Sequence, residues 1–124
     1  MSLLADARGG IPWYVKPAIL LVLSLAACSA DASDGSVEGP KIFDTICASC
    51  HGPKGKPPEA MVARLGVRDL TSAELRARVS PSLVENQVRK GSANKLMPAL
   101  EGALTDAQIK AVAAWVASPA FLQR

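Results

Sequence analysis

Five consecutive residues, Cys47-Ala48-Ser49-Cys50-His51, constrain this chain more than any other feature. Two thiols three residues apart project to one side of a helix, and an imidazole follows one position later. The surrounding pattern is helical. Gly39, Ile42, Phe43, Ile46, Cys47 and Cys50 recur at spacings of three and four, and Pro40 falls in the first turn, where a missing N–H costs nothing.

A C-x-x-C-H string in this setting is the attachment signal of a c-type haem. The thiols add across two vinyl groups, and the imidazole becomes the proximal iron ligand. The competing readings are a zinc site, a redox dithiol and a plain disulfide. Zinc usually takes four protein ligands, whereas His51 is the single histidine and no second cysteine pair exists. A thioredoxin-like dithiol belongs at a strand-to-helix junction, which is missing here.

The third cysteine, Cys28, closes an apolar run. Arg8 and Lys16 precede Ala18 to Ala27, ten residues interrupted only by Ser24. About 20 residues are needed to span a bilayer as a helix, so the run is too short to cross. Positive start, short apolar run and small residues are the order of a secretory signal. The end of the run, Leu25-Ala26-Ala27-Cys28, resembles a bacterial lipobox, which implies cleavage before Cys28 and lipidation of its thiol. An uncleaved anchor over Ile11 to Ala27 is the alternative, but Lys16 and two prolines interrupt it. The expected organisation is a lipoprotein-type signal peptide over 1–27, a flexible Ser/Ala/Asp/Gly tether over 28–37, and one folded domain over 38–124. The domain would then be exported and lipid-anchored to a bacterial membrane, in the periplasm or facing the extracytoplasmic side.

Cleavage takes Arg8, Lys16 and Asp6 from the 14 basic and 11 acidic side chains, leaving 12 against 10. A charge near +2 is too mild for the basic footprint of a nucleic-acid binder. Trp13 and Tyr14 leave too, so Phe43, Trp115 and Phe121 are the remaining aromatics. A domain this small and this poor in large core fillers usually relies on a staple or a cofactor. A porphyrin would serve as the missing flat core group.

The remaining pattern is also helical. Met61, Val62 and Leu65 share one face of a Glu59 to Leu65 segment, with Met61 a core filler. Thr71-Ser72-Ala73-Glu74 reads as a capping box opening Ala73 to Val79. Ser80 and Pro81 start a segment that ends at Gly91. Thr105-Asp106-Ala107-Gln108 is another capping box, and Ile109, Val112 and Val116 form a stripe beside Trp115 until Pro119 closes the helix. No stretch alternates with a strand period, so the class is all-α. Of the two methionines left as axial ligands, Met97 is preferred over Met61. Pro98 biases Met97 towards extended backbone in a loop, free of any helix, and Met/His is a known haem ligation mode.

Taken together, the chain resembles a class I cytochrome c of the small bacterial monohaem type. The resemblance rests on Gly39 and Phe43, on Cys47-Ala48-Ser49-Cys50-His51-Gly52, on Gly91 to Met97-Pro98, and on Leu104 to Ile109 running into Ala113-Ala114-Trp115-Val116. It implies short helices wrapped around one covalently bound haem c. The first and last helices would cross closely at Gly39, Phe43 and Trp115. It also implies a backbone carbonyl, often a proline's, accepting from the proximal imidazole, and Pro57 and Pro58 are the nearby prolines. Propionate contacts must come from groups other than tyrosine, which the mature chain lacks.

With His51 and Met97 as axial ligands, no coordination position is open to oxygen or peroxide. A thioether ligand raises the potential. The expected function is one-electron shuttling between respiratory redox proteins, not enzymatic catalysis, with no small-molecule substrate and no nucleic acid. Lys54, Lys56, Lys90 and Lys95 would form a basic ring steering a partner with an acidic docking surface, or else a solvated lysine scatter. The alternative function is a fixed haem-bearing subunit of a larger membrane oxidoreductase. A ligand-binding haem sensor or enzyme requires that Met97 not ligate.

Overall fold

The polypeptide enters the fold as a helix because Pro40 sits at its start and Gly39 lets another helix approach it. The computed structural model describes residues 37–124. Cys28, the expected signal segment and most of the expected tether lie outside the described residues. α1 spans Gly39–Ile42, a π-helical stretch spans Phe43–Cys47, and α2 spans Ala48–His51. α3 (Glu59–Leu65), α4 (Ala73–Arg76), α5 (Pro81–Lys90) and α6 (Asp106–Ala117) follow, and a 3₁₀ turn over Pro119–Gln123 ends the chain. Among the described residues the only bridge of sheet type joins Glu101 and Leu104, and the class is all-α as expected.

The π stretch differs from the uninterrupted α-helix implied by the spacing. The Ala48 N–H bonds to the Phe43 carbonyl, five residues back. The wider turn divides the stripe between two tasks. Ile42 and Phe43 are 0% and 1% exposed in the core, while Ile46, Cys47 and Cys50 are half-buried and line a cavity.

α6 is the central element. Its capping box forms as expected: Gln108 N–H donates to Thr105 Oγ1 at 3.2 Å, and Thr105 N–H donates to Gln108 Oε1 at 2.9 Å. Ile109, Val112 and Val116 are buried against Ile42, Phe43 and Val88. α1 crosses α6 at Gly39, where an added Cβ would lie 2.5 Å from the Ala111 carbonyl oxygen and 2.6 Å from Trp115 Cβ. Only a residue without a side chain allows that approach. Phe121, brought back by the 3₁₀ turn, packs edge-on to Phe43 at 5.0 Å and to Trp115 at 6.1 Å. The terminal Arg124 stacks over the same rings and pairs with Asp44.

Two local expectations change. The N-cap of α4 is Ser72, whose oxygen accepts from Leu75 N–H at 3.4 Å, so the cap sits one residue later and the helix is shorter than Ala73 to Val79. Thr71 instead donates its N–H and hydroxyl to Asp69, at 2.8 and 2.6 Å. The local Asx turn outcompetes the capping box. In α3, Val62 is 47% exposed and Met61 is half-buried outside the core cluster; only Leu65 of the three reaches the cavity. A helix of two turns at the edge of the fold has too little neighbouring surface to bury a full face.

Candidate functional site

A cavity of about 590 Å³ opens between α2, α5 and the loop that follows α5. The π stretch aims Cys47 and Cys50 at it, and His51 joins them at the end of α2. Both thiols are free and half-buried. Burial, reinforced by the neighbouring Cys50, pushes the Cys47 thiol up to about 11.

His51 is held through its inner nitrogen. Nδ1–H donates to the Arg68 carbonyl at 3.3 Å. Burial lowers the imidazole pKa, and the hydrogen bond to Arg68 partly offsets that. A neutral ring with its proton on Nδ1 leaves the Nε2 lone pair for a metal, with the backbone acceptor fixing tautomer and orientation. The acceptor is therefore neither Pro57 nor Pro58 but a residue seventeen positions from the histidine. Asp69 and Thr71 brace the segment just after it.

Met97 lines the same cavity and is half-buried. Gln87, in the last turn of α5, donates its amide to the Gly91 carbonyl at 2.8 Å and lies 3.8 Å from Met97 Sδ. Met61 does not line the cavity. The fold thus brings together Cys47, Cys50, His51 and Met97. The rest of the wall is mostly apolar, including Ile46, Leu70, Val84, Leu100 and Val112. That is the composition of a pocket for a large flat apolar group. Two thiols, one unprotonated imidazole nitrogen and one thioether are the donor set of a c-type haem.

Sequence reasoning missed Arg68, Arg78 and Gln87. A backbone carbonyl has no sequence signature, and the two arginines read as surface charges until the chain wraps them onto the cavity wall. Gln87 had a legible signal, four residues before the helix-ending Gly91. The four lysines of the expected ring are exposed, and the cations of the wall itself are Arg68 and Arg78.

Comparison with known proteins decides the family. Residues 37–116 match the family described as cytochrome c oxidase, cbb3-type, subunit III. Cytochrome c6 of Thermosynechococcus vestitus is 34% identical over 99 residues, 80% of each chain. The chain belongs to the class I cytochrome c family. Among solved structures, the KustC0563 c-type cytochrome superposes with a TM-score of 0.57 at 29% identity, over 64% of this chain and 94% of the other. As a class I cytochrome c the protein takes one covalently bound haem c, with Cys47 and Cys50 in the positions of the C-x-x-C-H thiols, and its chemistry is haem-based electron transfer.

Proposed function

We propose that this cytochrome c is a membrane-tethered one-electron carrier in which His51 and Met97 are the axial ligands of the haem iron. The observation that carries this reading is the convergence of Cys47, Cys50, His51 and Met97 on a single apolar cavity, from segments up to fifty residues apart. When bound, the haem supplies the one-electron couple. The chain supplies the rest. Cys47 and Cys50 hold the macrocycle by thioether bonds, so it is retained in both oxidation states. His51 binds through Nε2 while the Arg68 carbonyl keeps its Nδ1–H in place. Met97 would supply the second protein ligand to the iron, and a thioether there favours the reduced state. The mostly apolar wall would keep water from a bound macrocycle. With His51 and Met97 both holding the iron, the protein would exchange an electron with little rearrangement and would offer no site to oxygen.

The tether and lipid on Cys28 would confine the carrier near a bacterial membrane outside the cytoplasm, and the exposed Lys54, Lys56, Lys90 and Lys95 would steer an acidic partner. The family description, which names an oxidase subunit, favours a second reading, a fixed haem relay in a membrane oxidoreductase. Co-purification of a stable complex in mild detergent selects the subunit; a monodisperse protein selects the carrier.

The deciding experiment is an absorption spectrum of oxidised and reduced holoprotein, before and after Met97→Ala. A low-spin ferric spectrum with the weak far-red band of thioether ligation is expected, lost on substitution. A spectrum that Met97→Ala leaves unchanged refutes the ligand assignment.

A further inference from the structure

The loop that presents Met97 is closed on itself by side chains as well as by backbone. Gly91 turns the chain back at the end of α5 with φ of 69°, and a Cβ there would run into the Met97 carbonyl. Ser92 and Met97 then face each other across the turn. Ser92 N–H donates to the Met97 carbonyl at 3.0 Å, and Met97 N–H donates to Ser92 Oγ at 2.9 Å. The Ser92 hydroxyl proton goes to Asn94 Oδ1 at 2.6 Å, and that same oxygen accepts Leu96 N–H at 3.1 Å. Lys95 N–H donates to the Ser92 carbonyl at 2.9 Å. Lys95 is the one described residue other than glycine with positive φ, 61°. Such a conformation persists only where the surroundings over-determine it. Here they do, and Ser92 is the hub: its N–H, its carbonyl and its hydroxyl are all engaged within the loop.

Division of labour at the hydroxyl makes the arrangement directional. A serine has one proton and two lone pairs. Donation to Asn94 orients a lone pair at the Met97 N–H, and the short contact to Asn94 strengthens that acceptor. Ser92, Asn94 and Leu96 also line the cavity, and the hydrogen bonds that Ser92 makes to Met97 reach the site through the Met97 backbone. Hydrogen bonding on both sides of the methionine peptide restrains the segment from swinging out.

We infer that Ser92 is the positioning residue for Met97, with Asn94 as its partner: its hydroxyl holds the Met97 backbone so that the thioether stays presented to the cavity and competing ligands are kept out. This rests on the reading of Met97 as the sixth ligand. An external base such as imidazole binds only the form in which the methionine has left, so its apparent affinity rises in proportion to that fraction. Loss of one net hydrogen bond from the closed form raises the fraction roughly fivefold.

The test is an imidazole titration of the ferric holoprotein, followed through the far-red thioether band, in the wild type, Ser92→Ala, Ser92→Thr, Asn94→Ala and Gly39→Ala. Imidazole should bind Ser92→Ala about three- to tenfold more tightly, Asn94→Ala in the same direction, and Ser92→Thr within about twofold of the wild type. Gly39→Ala destabilises the fold away from the loop and should leave the imidazole affinity unchanged. Wild-type affinity in both Ser92→Ala and Asn94→Ala overturns the inference. An equal rise in Gly39→Ala does so too, because it would make the effect general destabilisation. Absence of the thioether band from the wild type itself would instead remove the Met97 ligation on which the inference stands.

Discussion

Arg76→Met should destabilise the holoprotein by about 2–4 kcal/mol. The reason lies at the end of α6, where the last carbonyls have no partners within the helix. The Trp115 carbonyl is satisfied locally, by Ser118 N–H at 3.1 Å and Ser118 Oγ at 2.8 Å. The carbonyls of Val116 and Ala117 are satisfied from forty residues away, by the Arg76 guanidinium at 2.7 and 3.1 Å, and the Ser118 carbonyl accepts from Arg76 at 2.9 Å as well as from Phe121 N–H at 3.3 Å. Hydrogen bonds to a charged group contribute about 1.5–3 kcal/mol each. The three share one cation, however, and the carbonyls regain water when it is removed, so the values do not add. A cation at a helix C-terminus by itself contributes up to about 2 kcal/mol. Methionine preserves an unbranched apolar stem beside Phe121, which isolates the loss of the cation. Thermal unfolding by far-ultraviolet circular dichroism should show a midpoint lower by about 8–30 °C, from roughly 4–8 °C per kcal/mol for a domain of this size. Arg76→Lys should recover part of the loss, because one ammonium cannot span three carbonyls. A midpoint for Arg76→Met within about 3 °C of the wild type would show that solvent caps α6 as well as the arginine does, and the argument would fall.

Three further outcomes follow from other parts of the fold. Gly39→Ala places a Cβ against the backbone of α6, which has no side chain to swing aside, and should cost about 1–3 kcal/mol in urea unfolding; an unchanged midpoint would mean the helices separate freely. Thr71 hydrogen bonds hold the Asp69 carboxyl below its usual range, so its contribution is present above about pH 4 and fades as pH falls through the lowered folded value. The stability difference between wild type and Asp69→Asn should therefore vanish in acid, and a difference that stays constant from neutral to acid contradicts the assignment. A Cys47→Ala, Cys50→Ala double variant, expressed without attached haem, should lose most of its helical circular dichroism, because a cavity of about 590 Å³ then opens in the middle of the core; a stably helical apoprotein would refute this.

Features dictated by local chemistry were legible in the residues. The capping boxes and Gly/Pro boundaries place α5 and α6 nearly to the residue, since Ser80, Pro81, Gly91 and Thr105 act through bonds made within one turn. The four side chains that converge on the cavity were legible too, three in a contiguous motif and Met97 in its Pro-flanked loop. The π stretch was not. Its spacing matches an α-helix as far as Cys47, and the wider turn shows only in the fold, where Ile42 and Phe43 are buried in the core while Ile46, Cys47 and Cys50 line the cavity. Competition misled the reading at Thr71, where an Asx turn and a capping box compete for the same hydroxyl.

The C-x-x-C-H string at 47–51 determined the cofactor and its point of attachment, because the chemistry of two thiols and an imidazole is carried within five residues. The flanking periodicity determined that helices would surround it. Tertiary structure alone decided what orients His51, what caps α6 and what closes the Met97 loop. The Arg68 carbonyl is seventeen positions from the imidazole it holds, and Arg76 is forty from the carbonyls it caps. Backbone acceptors are the same at every residue, so only the path of the folded chain can say which one is used.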